Sequence, residues 1–265
     1  MKSSSRRSPA TQLPAKKDAG FPVSIDSPNR KQTGSFAQRA YLEIRNKILR
    51  GDLPVGVAVS RRKLADELDI SVPPVMEALQ RLEHEGLVES KPRVGTRVCI
   101  PNPKDVEDRS IVREALETQA ARLFAERATT AEKKELKQMG RKMDQLYAAF
   151  ESNFTDRDFL FSVNTYHMKL HLRIAECARC PALRDAIEKE QVLIFNWLYE
   201  IAVQRRNLAS DHHARLADSL VSGSPDEAQA AMRQHIHTGL KEVLLGLKHV
   251  TPSSEPGWRQ MKRQR

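Results

Sequence analysis

The sequence predicts a mainly α-helical protein: an N-terminal winged helix-turn-helix with a small β-hairpin wing, then a C-terminal antiparallel all-helical bundle. Three observations predict it. Two short helical segments lie a few residues apart before residue 86, and two short apolar-alternating runs follow them around a basic, glycine-containing tip. From Asp105 to about Val250 the apolar period is helical throughout, with no strand-like alternation.

Residues 1–35 are rich in Pro, Ser, Lys and Arg and show no period, so they read as a disordered basic arm. Ala40, Tyr41, Ile44, Ile48 and Leu49 then recur at helical spacing, and Gly51 supplies a stop. Ser60 reads as the N-cap of a short helix carrying Leu64, Ala65 and Leu68. Ser71 reads as the cap of a second, with Pro73 and Pro74 tolerated in its first turn and Val75, Ala78, Leu79 and Leu82 on its apolar side. Strands are expected over 87–90 and 96–100, joined by Lys91-Pro92-Arg93-Val94-Gly95.

Pro101 and Pro103 mark a boundary, giving a DNA-binding domain over 36–103, a helical domain over 104–250 and a basic tail over 251–265. Six helices are expected in the second domain, at roughly 105–127, 130–150, 157–178, 182–206, 211–222 and 225–248. Thr130 before Glu132, and Ser224-Pro225-Asp226-Glu227, supply helix starts with acidic first turns.

Charge is unevenly placed. The net +10 divides into +5 over residues 1–35, +2 over 36–103, 0 over 104–250 and +3 in the last fifteen residues. A polyanion at the N-terminal end fits that asymmetry. Three cysteines make a disulfide framework improbable, and no run reaches the ~18 apolar residues of a membrane span, so a cytoplasmic protein with no membrane partner is expected.

A helix that reads the major groove needs small or hydrogen-bonding residues at its start, and cations on the preceding helix and the wing for phosphates. Ser71 opens the second helix, Arg61, Arg62 and Lys63 lie on the first, and Arg93 tips the wing. Solvated charge on a small helical domain would read the same way from spacing alone.

The run from Leu64 to Val88, LADELDISVPPVMEALQRLEHEGLV, resembles the DNA-binding domain of GntR-family regulators, and the likeness extends back to the helix at 36–50 and on through Gly95-Thr96-Arg97-Val98. The resemblance implies DNA contacts at Arg62, Ser71 and the wing glycine Gly95, and Pro74 in the first turn after Ser71 is counted with the DNA-contacting residues. Where that family usually has arginines, this chain has Val72 and Met76. An apolar pair can touch thymine methyls but cannot grip guanine, so a different operator or weaker binding is expected.

Seven of the eight histidines lie in the helical half. His167 and His171 are one helical turn apart, His213 opens another helix and His235 lies inside the last. Imidazoles converging from three helices would form a divalent-metal site, although any one of them is equally readable as a surface or satisfied core residue. His212, His237 and His249 read as such ordinary histidines.

Val112-Arg113-Glu114-Ala115-Leu116-Glu117, Leu170-His171-Leu172-Arg173-Ile174-Ala175-Glu176 and Cys180-Pro181-Ala182-Leu183 resemble the FCD ligand-binding domain of the FadR branch of the GntR family. That likeness implies a metal held by His171, His213 and His235, with His167 standing where an Asp or Asn is usual. An all-nitrogen set suits zinc or nickel. It also implies a small carboxylate effector, with Arg113, and more weakly Arg173, as its cation. The expected protein is a homodimeric repressor on a double-stranded operator. A metal-dependent hydrolase would want a motif such as His-Glu-x-x-His, which does not occur. A DNA-binding protein whose helical half only dimerises is the other alternative.

Overall fold

The computed structural model describes residues 35–100, 102–150, 156–190 and 209–248. The basic arm, the C-terminal tail, Trp197, Trp258, His249 and the second half of the helix expected over 182–206 lie outside the described residues.

Helix α1 (Phe36–Leu49) begins where the Ser35 hydroxyl accepts the Gln38 N–H, and buries Ala40, Tyr41, Ile44 and Ile48. Strand β1 (Ala58–Val59) leads into α2 (Arg61–Leu68), whose N-cap Ser60 accepts the Lys63 N–H. Asp69 ends α2 in the left-handed region at φ 53°, and α3 (Val72–His84) starts three residues later. Helix α3 is held by Val75, Ala78, Leu79 and Leu82, all almost fully buried. Strands β2 (Val88–Lys91) and β3 (Gly95–Val98) form the wing.

The sheet has three antiparallel strands in the order β1-β3-β2, one more than the hairpin the sequence suggests. Strand β1 is two residues long and its only pairs are Ala58 with Arg97 and Val59 with Thr96. So short a strand has no alternation to reveal it.

The capping of α3 also departs from expectation. Ser71 sits at the N-cap, but its side chain makes no capping bond. The N–H groups an N-cap accepts belong to the second and third helical residues. Here those are Pro73 and Pro74, which have none.

The helical part comprises α4 (Pro103–Arg127), α5 (Thr130–Phe150), α6 (Arg157–Cys177), α7 over residues 181–190, α8 (His212–Ser222) and α9 (Pro225–Leu247). Helix α9 opens with the reciprocal Ser224–Glu227 capping box. Helix α4 packs along α9 and α5 along α8, with α6 against α4 and α5. The core between them includes Phe124, Leu136, Met143, Leu170, Ile174, Leu220, Met232 and Ile236. At the end of α1 the Arg50 guanidinium lies 5.0 Å over the Phe161 ring of α6.

Candidate metal centre and nucleic-acid interface

Three buried polar faces meet inside the bundle. Helix α6 presents His167 and His171, α8 presents His213 near its start, and α9 presents His235. The Nε2 atoms of His167, His171 and His235 form a triangle with sides of 3.1, 3.1 and 3.4 Å. Ligand atoms of His167, His213 and His235 all lie within 4.8 Å of one another.

The outer edges of two rings are fixed by carboxylates from other helices. Glu117 of α4 accepts a hydrogen bond from His171 Nδ1 and is paired with Arg113 Nε at 2.5 Å. Asp144 of α5 lies 2.8 Å from His213 Nδ1 and also accepts the backbone N–H groups of His213 and Ala214, at 2.9 and 2.8 Å. These are the second and third residues of α8, so Asp144 caps that helix from a neighbouring one. Asp211, the N-cap by position, makes no capping bond of its own. A Cβ at Gly140, one turn before Asp144, would come within 2.7 Å of the His213 carbonyl oxygen. Glycine is what lets α5 and α8 approach so closely.

Burial raises the carboxyl of Glu117, but Arg113 and His171 outweigh it and hold the group well below the usual range. Burial likewise works against Asp144, and the His213 ring with the two N–H groups brings it below its ordinary value. Burial pushes His213 down to about 4 and His235 well below the ordinary imidazole range. Both rings are therefore neutral at pH 7. With its Nδ1–H directed at Asp144, His213 leaves an Nε2 lone pair facing inward, and Glu117 fixes the ring of His171 in the same sense.

Ring nitrogens this close repel unless a proton or a cation lies between them. Ligands held at about 2.1 Å around a tetrahedral ion stand about 3.4 Å apart, so the triangle fits a divalent ion bound through nitrogen. His235 Nδ1, buried without a hydrogen-bond partner, is the one unsatisfied edge in the set.

Beside the cluster opens a pocket of about 620 Å3, part of it continuous with solvent. Ser110, Arg113, Tyr147, His212 and Glu242 supply its polar wall. Val106, Leu240 and Val243 supply an apolar one. His212, expected as an ordinary histidine, stacks on His235 with centroids 4.8 Å apart. Tyr147 stacks on His213 at 5.1 Å. His237 is at the surface beside Glu114.

Arg173 does not reach the pocket. Its guanidinium is held on the outside of the bundle by Glu135 and Glu176, at 2.9 and 3.1 Å, which corrects its expected place beside an effector. Cys177 and Cys180 are free thiols at the end of α6.

Glu117, Asp144, Tyr147 and Gly140 were not singled out by their positions in the sequence. Only Gly140 carried a signal. A glycine inside an otherwise strong helix costs about 1 kcal/mol and asks for a packing reason.

In the N-terminal part, Arg61, Arg62 and Lys63 are exposed on α2. Arg61 reaches Thr96 Oγ1 at 3.3 Å, and Lys63 lies 3.8 Å from Glu67. Ser71 is exposed, Val72 and Pro74 are half-buried, and Met76 is 40% exposed. Arg93 turns the wing at φ 62°, followed by Gly95 at φ 116° with open space where a side chain would stand. Among the described residues no helix is long and apolar enough to cross a membrane.

Comparison with known proteins agrees with this architecture. Residues 36–98 match the model for bacterial regulatory proteins of the gntR family, and residues 110–238 match the FCD domain. A protein named "Probable D-xylose utilization operon transcriptional repressor" from Paenarthrobacter nicotinovorans is 29% identical over 194 residues, 72% of this chain and 80% of that protein. The HTH-type transcriptional repressor RspR of Escherichia coli (strain K12) is 25% identical over 201 residues, 75% of this chain and 85% of its own length.

Among solved structures, E. coli McbR/YncC superposes with a TM-score of 0.62 at 20% identity, over 80% of this chain and 98% of that one. A GntR regulator from Rhodococcus sp. RHA1 gives 0.65 at 17%, with the same coverage. These two likenesses speak for the fold. The family and its named relatives are transcriptional regulators, which sets the hydrolase alternative aside. With a gntR-family winged helix in front and an FCD domain behind it, the chain belongs to the GntR family of DNA-binding transcription regulators.

Proposed function

We propose that this regulator is a homodimeric repressor whose hold on a pseudo-palindromic operator is set by a small carboxylate, bound at a zinc or nickel ion in the helical part. The observation that carries the reading is the Nε2 triangle of His167, His171 and His235, with His213 beside it and carboxylates fixing two rings from behind. Backed in this way, the imidazoles are held in the tautomer and orientation that ligation needs.

The charges around the pocket favour a monoanion. A divalent ion and Arg113 are already balanced by Glu117, Asp144 and Glu242, so each further negative charge on an effector is disfavoured. Glu242 on the wall disfavours a second carboxylate, and Val106, Leu240 and Val243 suit a short apolar chain. The operator contacts fall to Arg61, Arg62, Lys63, Ser71, Val72, Pro74, Met76, Arg93 and Gly95, with the cations placing the phosphates. Helix α6 carries two of the histidines and, through Phe161, touches Arg50 at the end of α1. That contact supports a coupling between pocket and DNA-binding part.

Elemental mass spectrometry of the tag-free protein tests the reading, beside a variant with His167, His171, His213 and His235 all changed to alanine. About one metal per chain, lost in the variant, is the expected result. A metal-free wild type after incubation with zinc and nickel would leave a DNA-binding protein whose helical half senses by other chemistry. Operator release by short monocarboxylates, and not by dicarboxylates of the same length, would then establish the effector class.

A further inference from the structure

We propose that the exposed face of α3 reads thymine methyl groups, with an adenine contact from Gln80, and makes no guanine contact. This rests on the reading of α3 as the helix that enters the major groove. Val72, Met76 and Gln80 are spaced four apart, and Pro73 and Glu77 lie beside them. At about 100° per residue these five span an arc of about 140°, with half-buried Val72 at the edge that borders buried Leu79 and the rest facing away from Val75, Ala78 and Leu82. Pro73, Met76, Glu77 and Gln80 are exposed, and Met76 is among the most exposed large apolar side chains described.

That arc carries no lysine or arginine. The nearest cation on α3, Arg81, is already held: Nη1 donates to Gln38 Oε1 at 2.8 Å, Nε lies 3.4 Å from Glu85, and the guanidinium sits 3.6 Å over the Tyr41 ring. The helix start offers little to an anion either, because Pro73 and Pro74 carry no N–H.

Guanine is read by a bidentate cation, and this face has none to give. The thymine C5 methyl is the apolar feature the major groove displays, and Val72 and Met76 are its matching surface. Gln80 has the donor and acceptor pair that adenine N6 and N7 require. Glu77 keeps phosphates off the arc, so that Arg61, Arg62, Lys63 and Arg93, which flank it, hold the backbone instead.

The test is selection of the full-length protein on a random-sequence duplex library, then binding to the selected duplex with single dT→dU or dG→7-deazaguanine replacements. The uracil replacement removes one methyl and nothing else. Loss of about fourfold in affinity at two or more central positions is expected, the worth of one buried methyl. Guanine replacements should leave affinity unchanged. The double variant Val72→Ala/Met76→Ala should lose the uracil effect and keep the salt dependence of binding, and Met76→Ala alone, at an exposed site, should lose part of the uracil effect. Binding indifferent to uracil, or weakened by 7-deazaguanine within the half-site core, would overturn the proposal while leaving DNA binding intact. Failure to enrich any sequence would remove the DNA-binding role of α3 itself.

Discussion

Asp144 holds His213 by both its ring and its backbone: the same carboxylate lies 2.8 Å from Nδ1 and 2.9 Å from the main-chain nitrogen. Orientation of a candidate metal ligand and the start of helix α8 thus depend on one side chain.

Asp144→Ala should therefore act on two measurements at once. Loss of the cap costs about 1 kcal/mol of stability, and loss of the ring's partner lowers metal affinity by about 10–100-fold. Urea denaturation and competitive zinc titration read the two separately. A variant that loses stability and keeps its metal affinity would show that Asp144 is a cap alone.

Gly140→Ala tests the same seam from the backbone side. The added methyl would meet the His213 carbonyl oxygen at 2.7 Å and the Ala217 Cβ at 3.0 Å, so α8 must move. Overpacking of this kind costs about 1–3 kcal/mol. Because the displaced helix carries His213, metal stoichiometry should also fall. Full metal content with unchanged stability would mean that α5 and α8 have room to spare.

Glu117→Gln leaves the shape of the buried pair and removes its charge. Arg113 loses its ionic partner and the His171 Nδ1–H its carboxylate acceptor, and zinc affinity should fall about 10–100-fold. With one negative charge fewer beside Arg113 in a pocket that keeps Glu242, a dicarboxylate should then bind more tightly than it does to the wild type. Calorimetry with both ligand classes decides this.

The thiols give a check that does not depend on the metal. Burial, with Glu89 and Asp105 nearby, pushes Cys99 up to about 11, and burial pushes Cys177 to the same value. At pH 8 only about one in a thousand of either is thiolate, so both should react slowly with iodoacetamide until the chain unfolds. Cys180, half-exposed after α6, should label ahead of the buried Cys177. Mass mapping that finds Cys99 or Cys177 among the fast sites would contradict the burial.

Acid sensitivity should include Glu132 at the start of α5. The Thr129 N–H and the Arg179 guanidinium lower its carboxyl to about 2, from an ordinary value near 4.5. A lowered folded-state value stabilises the protein above the unfolded value, and that contribution fades as pH falls from about 4.5 toward 2. Glu132→Gln should flatten this part of the stability–pH curve relative to wild type. Superimposable curves would show that the Arg179 pair contributes nothing.

Long amphipathic helices were legible in the sequence because Ser224-Pro225-Asp226-Glu227 and similar starts punctuate an uninterrupted apolar period. Strand β1 was not, since Ala58 and Val59 are too few to show a pattern. His167, His171, His213 and His235 could be grouped by spacing and family likeness. Their backing could not: Glu117 and Asp144 are ordinary-looking acids inside long charged helices, and only the packing of α4 and α5 brings them to the rings. Arg173 misled for the converse reason. Its place beside His171 in sequence turns it about 160°–200° away around the helix axis, toward Glu135 and Glu176. The idle Ser71 hydroxyl was in principle readable from the two prolines that follow it.

The two sides of α3 divide their labour cleanly. Val75, Ala78, Leu79 and Leu82 hold the helix in place, while the exposed Met76 and Gln80 carry none of that anchoring. Descendants of this chain could therefore exchange the outward residues freely, acquiring new target promoters without first having to survive a loss of folding.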